Sequence, residues 1–80
     1  MNEQEAIQVA EQNREMLQID PEMAFESAEK AILEYKENPE ESGPTTDRIA
    51  WLITFSNPWG FVVVNVDDRT GKVLSVERSR

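Results

Sequence analysis

The sequence predicts an α+β domain in which two N-terminal helices precede a three-stranded antiparallel meander sheet, in the order ααβββ. Residues 48–78 contain three short runs rich in β-branched and aromatic residues, and two turn signals separate these runs. Residues 1–37 instead place their apolar side chains at helical spacing. Because 80 residues leave room for one sheet layer and one helical layer, we expect a single domain over residues 1–80.

The composition lacks the residues on which most catalytic and metal sites depend. The chain has no cysteine and no histidine, which excludes disulfides, thiolate zinc sites, cysteine nucleophiles and histidine bases. Pairs of carboxylates would need a cleft with perturbed pKa values, which so small a domain can scarcely enclose. We therefore predict a protein that is not an enzyme and uses no cofactor.

The net charge of −8 is concentrated in the first half of the chain. Residues 1–41 hold twelve acids against three bases, whereas residues 42–80 hold four acids against five bases. An acidic surface repels nucleic acid and anionic lipid, so we expect neither as a partner. The acids fit either mimicry of a polyanion toward a basic protein or, as the simpler interpretation, a solvated helix face that keeps the protein in solution.

No segment has the pattern of a membrane span or an export signal. The longest apolar runs are far shorter than the roughly 20 residues that cross a bilayer, and the acidic start at residues 1–5 is unlike a basic signal peptide. We expect a cytoplasmic location for the chain as given. An extracytoplasmic location would follow if the chain is an excised domain.

Helix 1 is predicted within residues 1–18, from Glu3 to about Met16. Asn2 followed by Glu5 is a capping-box pattern, and apolar residues then recur at helical spacing. The apolar stripe is thin because alanine and asparagine fill half of its six positions. We therefore expect helix 1 to be peripheral and labile.

Helix 2 is predicted over residues 20–37 as the core helix that packs on the sheet. Asp20 can cap the first free amides, and Pro21 suits the first helical position. The apolar stripe of this helix consists of Ala24, Phe25, Ala28, Ala31, Ile32 and Tyr35. On this interpretation Phe25 is buried.

Residues 38–47 are predicted to form an exposed loop, because they combine two prolines and a glycine with small polar residues. Glu40 and Glu41 could be taken for metal ligands, but adjacent carboxylates in a loop lack convergent geometry. Asp67 and Asp68 invite a calcium interpretation, yet the ligands of an EF-hand do not follow at the required spacing. We predict no metal site.

The meander is predicted over residues 48–78. Its last turn, Asp68 to Gly71, fits a type I turn with a positive φ at Gly71. The first strand, Ile49 to Phe55, is apolar on both faces and carries no charge, so as an edge strand it would be open to pairing.

We predict an interaction surface on this first strand, through its edge or through its lighter face, which carries Ala50, Leu52 and Thr54. Trp59 in the following turn could serve as an anchor, although folding back over the sheet edge is the interpretation we favour. The expected outcome is binding of a protein partner or homodimerisation.

The strands also resemble a known family. Trp51 to Phe55 and Val62 to Leu74 are similar to the "W-x-V … V-x-V-D-x-x-T-G-x-V-L" ending of PepSY domains, and the alanines of helix 2 are similar to the alanine-rich helix of that family. YrhB-like bacterial immunity proteins resemble the same ending. The resemblance implies a helix on a three-stranded sheet and a role in binding or restraining another protein, without catalytic residues. PepSY domains usually lie outside the cytoplasm.

Two functions follow from the sequence as hypotheses. The first is a non-catalytic, PepSY-like protein-interaction module that binds or inhibits another protein. The alternative is a small acidic immunity or phage-type inhibitor that blocks a basic site on its target. Salt separates them, because acidic mimicry weakens with ionic strength and apolar docking does not.

Overall fold

The computed structural model describes residues 1–36 and 46–79, and within them the chain forms one helix and four strands. The elements are α1 (Glu3–Gln12), β1 (Ala24–Tyr35), β2 (Thr46–Asn57), β3 (Gly60–Asp67) and β4 (Val73–Arg78). The strands form one antiparallel sheet in the order β1-β2-β3-β4. The predicted loop 38–47, with Glu40 and Glu41, lies outside the described residues except for positions 46 and 47, which begin β2.

The predicted ααβββ architecture is wrong, because residues 24–35 form strand β1 and no second helix is present in the described residues. β1 pairs with β2 from Ala24 opposite Ser56 to Tyr35 opposite Thr46. This pairing satisfies the backbone of the uncharged strand that the sequence analysis treated as an edge. Helix propensities differ by a few tenths of a kcal/mol per residue, so pairing along a whole strand outweighs them.

The Asp20–Pro21 signal begins a turn instead of a helix. The carboxylate of Asp20 accepts from the backbone N–H of Glu22 (2.8 Å), and its carbonyl accepts from the N–H of Met23 (3.0 Å). Asp followed by Pro is also the usual opening of a type I turn. The same dipeptide therefore fits both structures, and the strand that follows decides between them.

Helix α1 begins at the predicted capping box. The N–H of Glu5 donates to Asn2 Oδ1 (2.8 Å), and the N–H of Asn2 donates to Glu5 Oε1 (3.1 Å). The expectation that this helix is peripheral is wrong, because Ala6 and Ala10 are fully buried against the sheet. Small side chains allow the helix backbone to approach the strands closely. The thin apolar stripe of α1 is therefore the side of the helix that faces the core.

One face of the sheet packs beneath α1, and we call it the covered face. Residues directly opposite each other on antiparallel strands point to the same face of the sheet. The strand pairing therefore identifies the residues of the covered face. Its central side chains are Trp51, Ile53, Phe55, Val62, Val64, Val66 and Val76. Phe25 belongs to this face but is 44% exposed, so the prediction that it is buried in the core is wrong.

Two arginines fix the connection between α1 and β1. The Arg14 guanidinium donates to the carbonyls of Asp20 (3.0 Å) and Met23 and lies 4.7 Å from the centre of the Phe55 ring. Arg78, at the end of β4, donates to the carbonyls of Leu17 and Gln18 in the same connection. The connection is thereby held against one end of the sheet.

The last hairpin closes through the glycine that the sequence predicted. Gly71 has a φ of 73°, and its N–H donates to the carbonyl of Asp67 (2.9 Å). The prediction of a positive φ is confirmed. The carboxylate that caps the turn is that of Asp67, which accepts from both the N–H (3.0 Å) and the hydroxyl of Thr70.

Candidate protein-interaction face

The second face of the sheet has no layer on it within the described ranges, because α1 occupies the opposite side. We call this surface the open face. Its side chains are those of Ala24, Ser27, Glu29, Ala31, Leu33, Tyr35, Thr46, Arg48, Ala50, Leu52, Thr54, Ser56, Phe61, Val63, Asn65, Asp67, Ser75 and Glu77. An antiparallel sheet with one solvated face normally carries polar residues there. This face carries polar residues too, but it also holds the adjoining apolar side chains of Leu52, Val63 and Phe61.

Three of the four predicted interaction residues share this face. Ala50, Leu52 and Thr54 follow one another at alternate positions of β2. Ala50 is fully buried, whereas Leu52 and Thr54 keep part of their surface exposed. The expectation of an open edge at this strand is wrong, because β2 is flanked by β1 on one side and β3 on the other. The face is therefore the route by which a partner can reach these residues.

Trp59 lies apart from the other three, in the turn between β2 and β3. Asn57 Oδ1 accepts from the N–H groups of Trp59 and Gly60, each at 2.9 Å, and this arrangement holds the turn. The indole is 83% exposed, so the expectation that it folds back over the sheet is wrong. Thr54 is three positions from Asn57, roughly 10 Å along the strand. Trp59 is thus an exposed aromatic at one end of the sheet.

A buried amide lies near the middle of the open face. Asn65 is 1% exposed, and its Nδ2 donates to Ser75 Oγ (2.7 Å). No group among the described residues bonds its Oδ1. Turning the amide would exchange its two ends, but Ser75 would still satisfy a single end. A buried polar atom without a partner is costly, and because this oxygen is itself buried, a donor on another protein could reach it only after the face rearranged.

At one end of the open face Asp67 is neutralised internally. It is 2% exposed, and the Arg48 guanidinium lies 3.8 Å from its carboxylate. Hydrogen bonds from the Thr70 hydroxyl and backbone, together with the Arg48 charge, lower the pKa of Asp67 against the opposing effect of burial. This end of the face therefore offers no free anion to a ligand.

The neighbouring Asp68 contacts residues of the covered face instead. Its carboxylate accepts from Trp51 Nε1 (2.7 Å) and lies near Lys30 Nζ (4.0 Å) and the terminal amine (3.8 Å). The two aspartates thus diverge, although both line a groove of about 630 Å³. Within residues 1–36 and 46–79, no three Asp, Glu, His or Cys side chains converge to hold a metal ion.

Comparisons with family models, curated proteins and solved structures give no match. Function is therefore inferred from the chain's own surfaces. In the described part of the chain, α1 is too short and too polar to cross a membrane.

Part of the open face could not be predicted from the sequence. Leu33 was assigned to a helix, so its place beside Arg48 on the sheet could not be seen. Val63 and Asn65 alternate with the buried valines of β3, but nothing local shows which side of the strand the helix covers. The signal that could have separated the faces is the pair of alanines in α1, which marks a helix made for close packing.

Proposed function

We propose that this chain is a non-catalytic protein-interaction module that binds or restrains another protein through its open face. The observation that carries the proposal is a group of adjoining apolar side chains on that face, where Leu52, Val63 and Phe61 stay partly exposed beneath no second layer in the described residues. Contiguous apolar surface of this kind is typical of binding sites. A partner surface that covers it would gain roughly 25 cal/mol for each Å² of apolar area removed from water.

The net charge of −8 favours a protein over nucleic acid as that partner. The partner we propose is therefore a protein with an apolar patch that fits the open face.

The family resemblance supports this proposal in part. The strand, turn and strand from Val62 to Leu74 are present as β3, a tight turn and the start of β4, and that is the ending shared with PepSY domains and YrhB-like immunity proteins. The likeness to their alanine-rich helix is lost, because Ala24, Ala28 and Ala31 lie on β1. A PepSY-like or YrhB-like restraining role is part of the proposal, and it rests on the ending alone.

Affinity capture with paired variants tests the open face. The protein and two double variants, Leu52→Lys with Thr54→Lys and Gln8→Lys with Gln12→Lys, are immobilised and exposed to lysate from the native host. Gln8 and Gln12 are exposed on α1, so the second double variant matches the charge change away from the open face. We expect a protein retained by the wild type and the α1 variant, and lost with the β2 variant. Equal capture by all three would contradict the proposal.

The partner captured in this way is then purified and titrated by calorimetry. Burial of apolar surface predicts a negative heat-capacity change on binding and weak dependence on salt. Circular dichroism melting of each variant shows that a loss of binding is not a loss of folding.

The second candidate, an acidic inhibitor of a basic site, is favoured by the exposure of the acids. Exposed glutamates occur at Glu3, Glu5 and Glu11 in α1 and at Glu26, Glu29 and Glu34 in β1. For this function, binding should weaken steeply with ionic strength and should survive the β2 variant. Lys substitutions at Glu3 and Glu11 should then abolish capture.

A further inference from the structure

Strand β1 is one of the two edges of the sheet. It runs for 12 residues, and its side away from β2 pairs with no strand among residues 1–36 and 46–79. The other edge, β4, has 6 residues. A long unpaired strand is a template for another strand, so natural proteins protect such edges or use them.

Charges on β1 would normally discourage pairing. Lys30 and Glu34 lie on the covered-face side, two positions either side of Ile32, and Glu29 lies on the open-face side. However, this edge carries both a basic and an acidic side chain, unlike an edge protected by charges of one sign. Mixed charges at fixed spacing exclude most strands and favour one whose charges are complementary.

Apolar surface is exposed at the same place. Ile32 is 71% exposed, and the residue of β2 that pairs with it, Ile49, is 48% exposed. Both lie on the covered-face side, but neither belongs to the core beneath α1. A further strand beside this edge would pack against the exposed β-branched pair and remove its apolar surface from water.

We propose that β1 pairs antiparallel with β1 of a second copy, in the register that places Ile32 opposite its own symmetry mate. Residues whose numbers sum to 64 then face each other. Lys30 lies opposite Glu34 of the second copy, and Glu34 opposite Lys30, so two ion pairs flank the isoleucines. Ile49, Ile32 and their mates form a continuous apolar row across an eight-stranded sheet.

The charges select this register among the alternatives. A two-fold axis perpendicular to the sheet maps each face onto itself, so facing residues of the two copies lie on the same face. Residues on one face of a strand are all even-numbered or all odd-numbered, so the numbers of two facing residues have an even sum. A sum of 60 places Lys30 against Lys30, and a sum of 62 places it against Ile32. A sum of 66 places Lys30 against Lys36, and a sum of 68 places Glu34 against Glu34. Among these, the register centred on Ile32 alone pairs opposite charges within residues 28–36, beyond the bulge between Phe25 and Ser27.

This pairing uses a different surface from the open face and does not depend on the proposed function. Contact along a single edge falls below the roughly 1,200 Å² of buried area that marks standard stable interfaces, so we expect a weak, concentration-dependent dimer. Lys30 can take part because it is 51% exposed and its contact with Asp68, at 4.0 Å, is at the limit of an ion pair.

Sedimentation velocity over a concentration series tests the register by charge reversal. Lys30→Glu places carboxylates opposite carboxylates at two sites and should weaken the dimer roughly tenfold or more. Adding Glu34→Lys to the same chain restores opposite charges at both sites and should return the dissociation constant to near the wild-type value. The contact of Lys30 with Asp68 is lost in both variants, so it cannot account for the rescue.

Two controls separate this dimer from other associations. Lys72→Glu makes the same charge change outside β1 and should leave the dimer unchanged. Ile32→Lys should abolish it while melting near the wild type, because the side chain is largely exposed. A chain that stays monomeric up to about 1 mM would overturn the proposal.

A failed rescue by Glu34→Lys would also overturn the register. If Leu52→Lys with Thr54→Lys removes the dimer and Ile32→Lys does not, self-association belongs to the open face. That result would overturn the edge pairing and leave the proposed function standing. Conversely, equal capture of a partner by the open-face variant would remove the proposed function without touching the edge pairing.

Discussion

Alternate residues of one strand meet different surroundings on the two faces of this sheet. Ile53 and Phe55 of β2 are fully buried on the covered face, whereas Leu52 and Thr54 of the same strand keep part of their surface in solvent on the open face. Both rows are largely apolar. The difference teaches that hydrophobicity marks what can be buried, and that for the large apolar side chains of β2 the second layer decides what is buried.

The choice of face follows from volume. The covered face holds the larger side chains of β2, and α1 brings alanines at its contact points, Ala6 and Ala10. A helix with small residues at the contact lies close to large ones on the sheet, which fills the space between the layers. The open face has smaller side chains on β2, and a layer there would bury less.

The largest expected effect is at the centre of the covered face. Phe55→Ala should lower the free energy of unfolding by roughly 3 to 5 kcal/mol, because the ring is fully buried and its removal leaves a cavity. Phe25→Ala is the matched control, since Phe25 packs edge-on to Phe55 at 6.4 Å but is 44% exposed. Its loss should be about 1 kcal/mol. Urea titrations that gave equal losses for both would remove the distinction between core and rim.

The next effect concerns a buried charge on the open face. Asp67→Asn should lower the free energy of unfolding by roughly 1 to 3 kcal/mol at neutral pH, since hydrogen bonds to the carboxylate are weakened. The folded pKa of Asp67 lies below its unfolded value, with the Thr70 hydroxyl as the main cause. Its contribution is therefore present above about pH 4 and is lost as the pH falls through the folded pKa.

The measurement is the difference in unfolding free energy between wild type and Asp67→Asn at a series of pH values. The difference should shrink as the pH falls below about 4. A gap that stays constant down to pH 2 would show that the charge of Asp67 does not contribute.

A turn residue tests stability outside both faces. Gly71 has a φ of 73°, so Gly71→Val should destabilise the fold by at least about 1 kcal/mol. Gly71→Asn should cost less, because asparagine tolerates this backbone region better. Thermal melts of the two variants provide the comparison, and an equal loss would assign the effect to contact with Met1, whose Cε lies 3.1 Å from an added Cβ.

The smallest effect is expected on the open face. Leu52→Lys should lower the free energy of unfolding by less than about 1 kcal/mol, because the side chain is partly exposed and the lysine ammonium can reach water. Ile53→Lys, one position along, should unfold the protein by burying a charge. A large loss for Leu52→Lys in urea titrations would mean that the open face is core.

Much of the fold could be predicted, and the error has a physical cause. The strands from β2 onward, the Gly71 turn and the Asn2 capping box all carry local signals that the structure confirms. Residues 24–35 carry a local helical signal instead, and what makes them a strand is the remote edge of β2. The local sequence pattern of residues 24–35 carries no information about that remote pairing partner.

The candidate site was predicted to a similar extent. Alternation along β2 placed Ala50, Leu52 and Thr54 on one face, and the structure has them there. The contribution of Leu33 was lost with the mistaken helix. The orphaned Oδ1 of Asn65 depends on side chains of two strands, and no sequence pattern reports it.

The arginine at the end of β4 has a consequence for the order of folding. Arg78 bonds the carbonyl of Gln18, 60 residues away, whereas the three strand pairings join neighbours along the chain. Hairpins close at low entropic cost, so we expect the meander to form first and α1 to dock late. The last element to dock is then the first to leave, and hydrogen exchange should show α1 opening more often than β2 and β3. Equal protection of α1 and these strands would mean that helix and sheet form one cooperative unit.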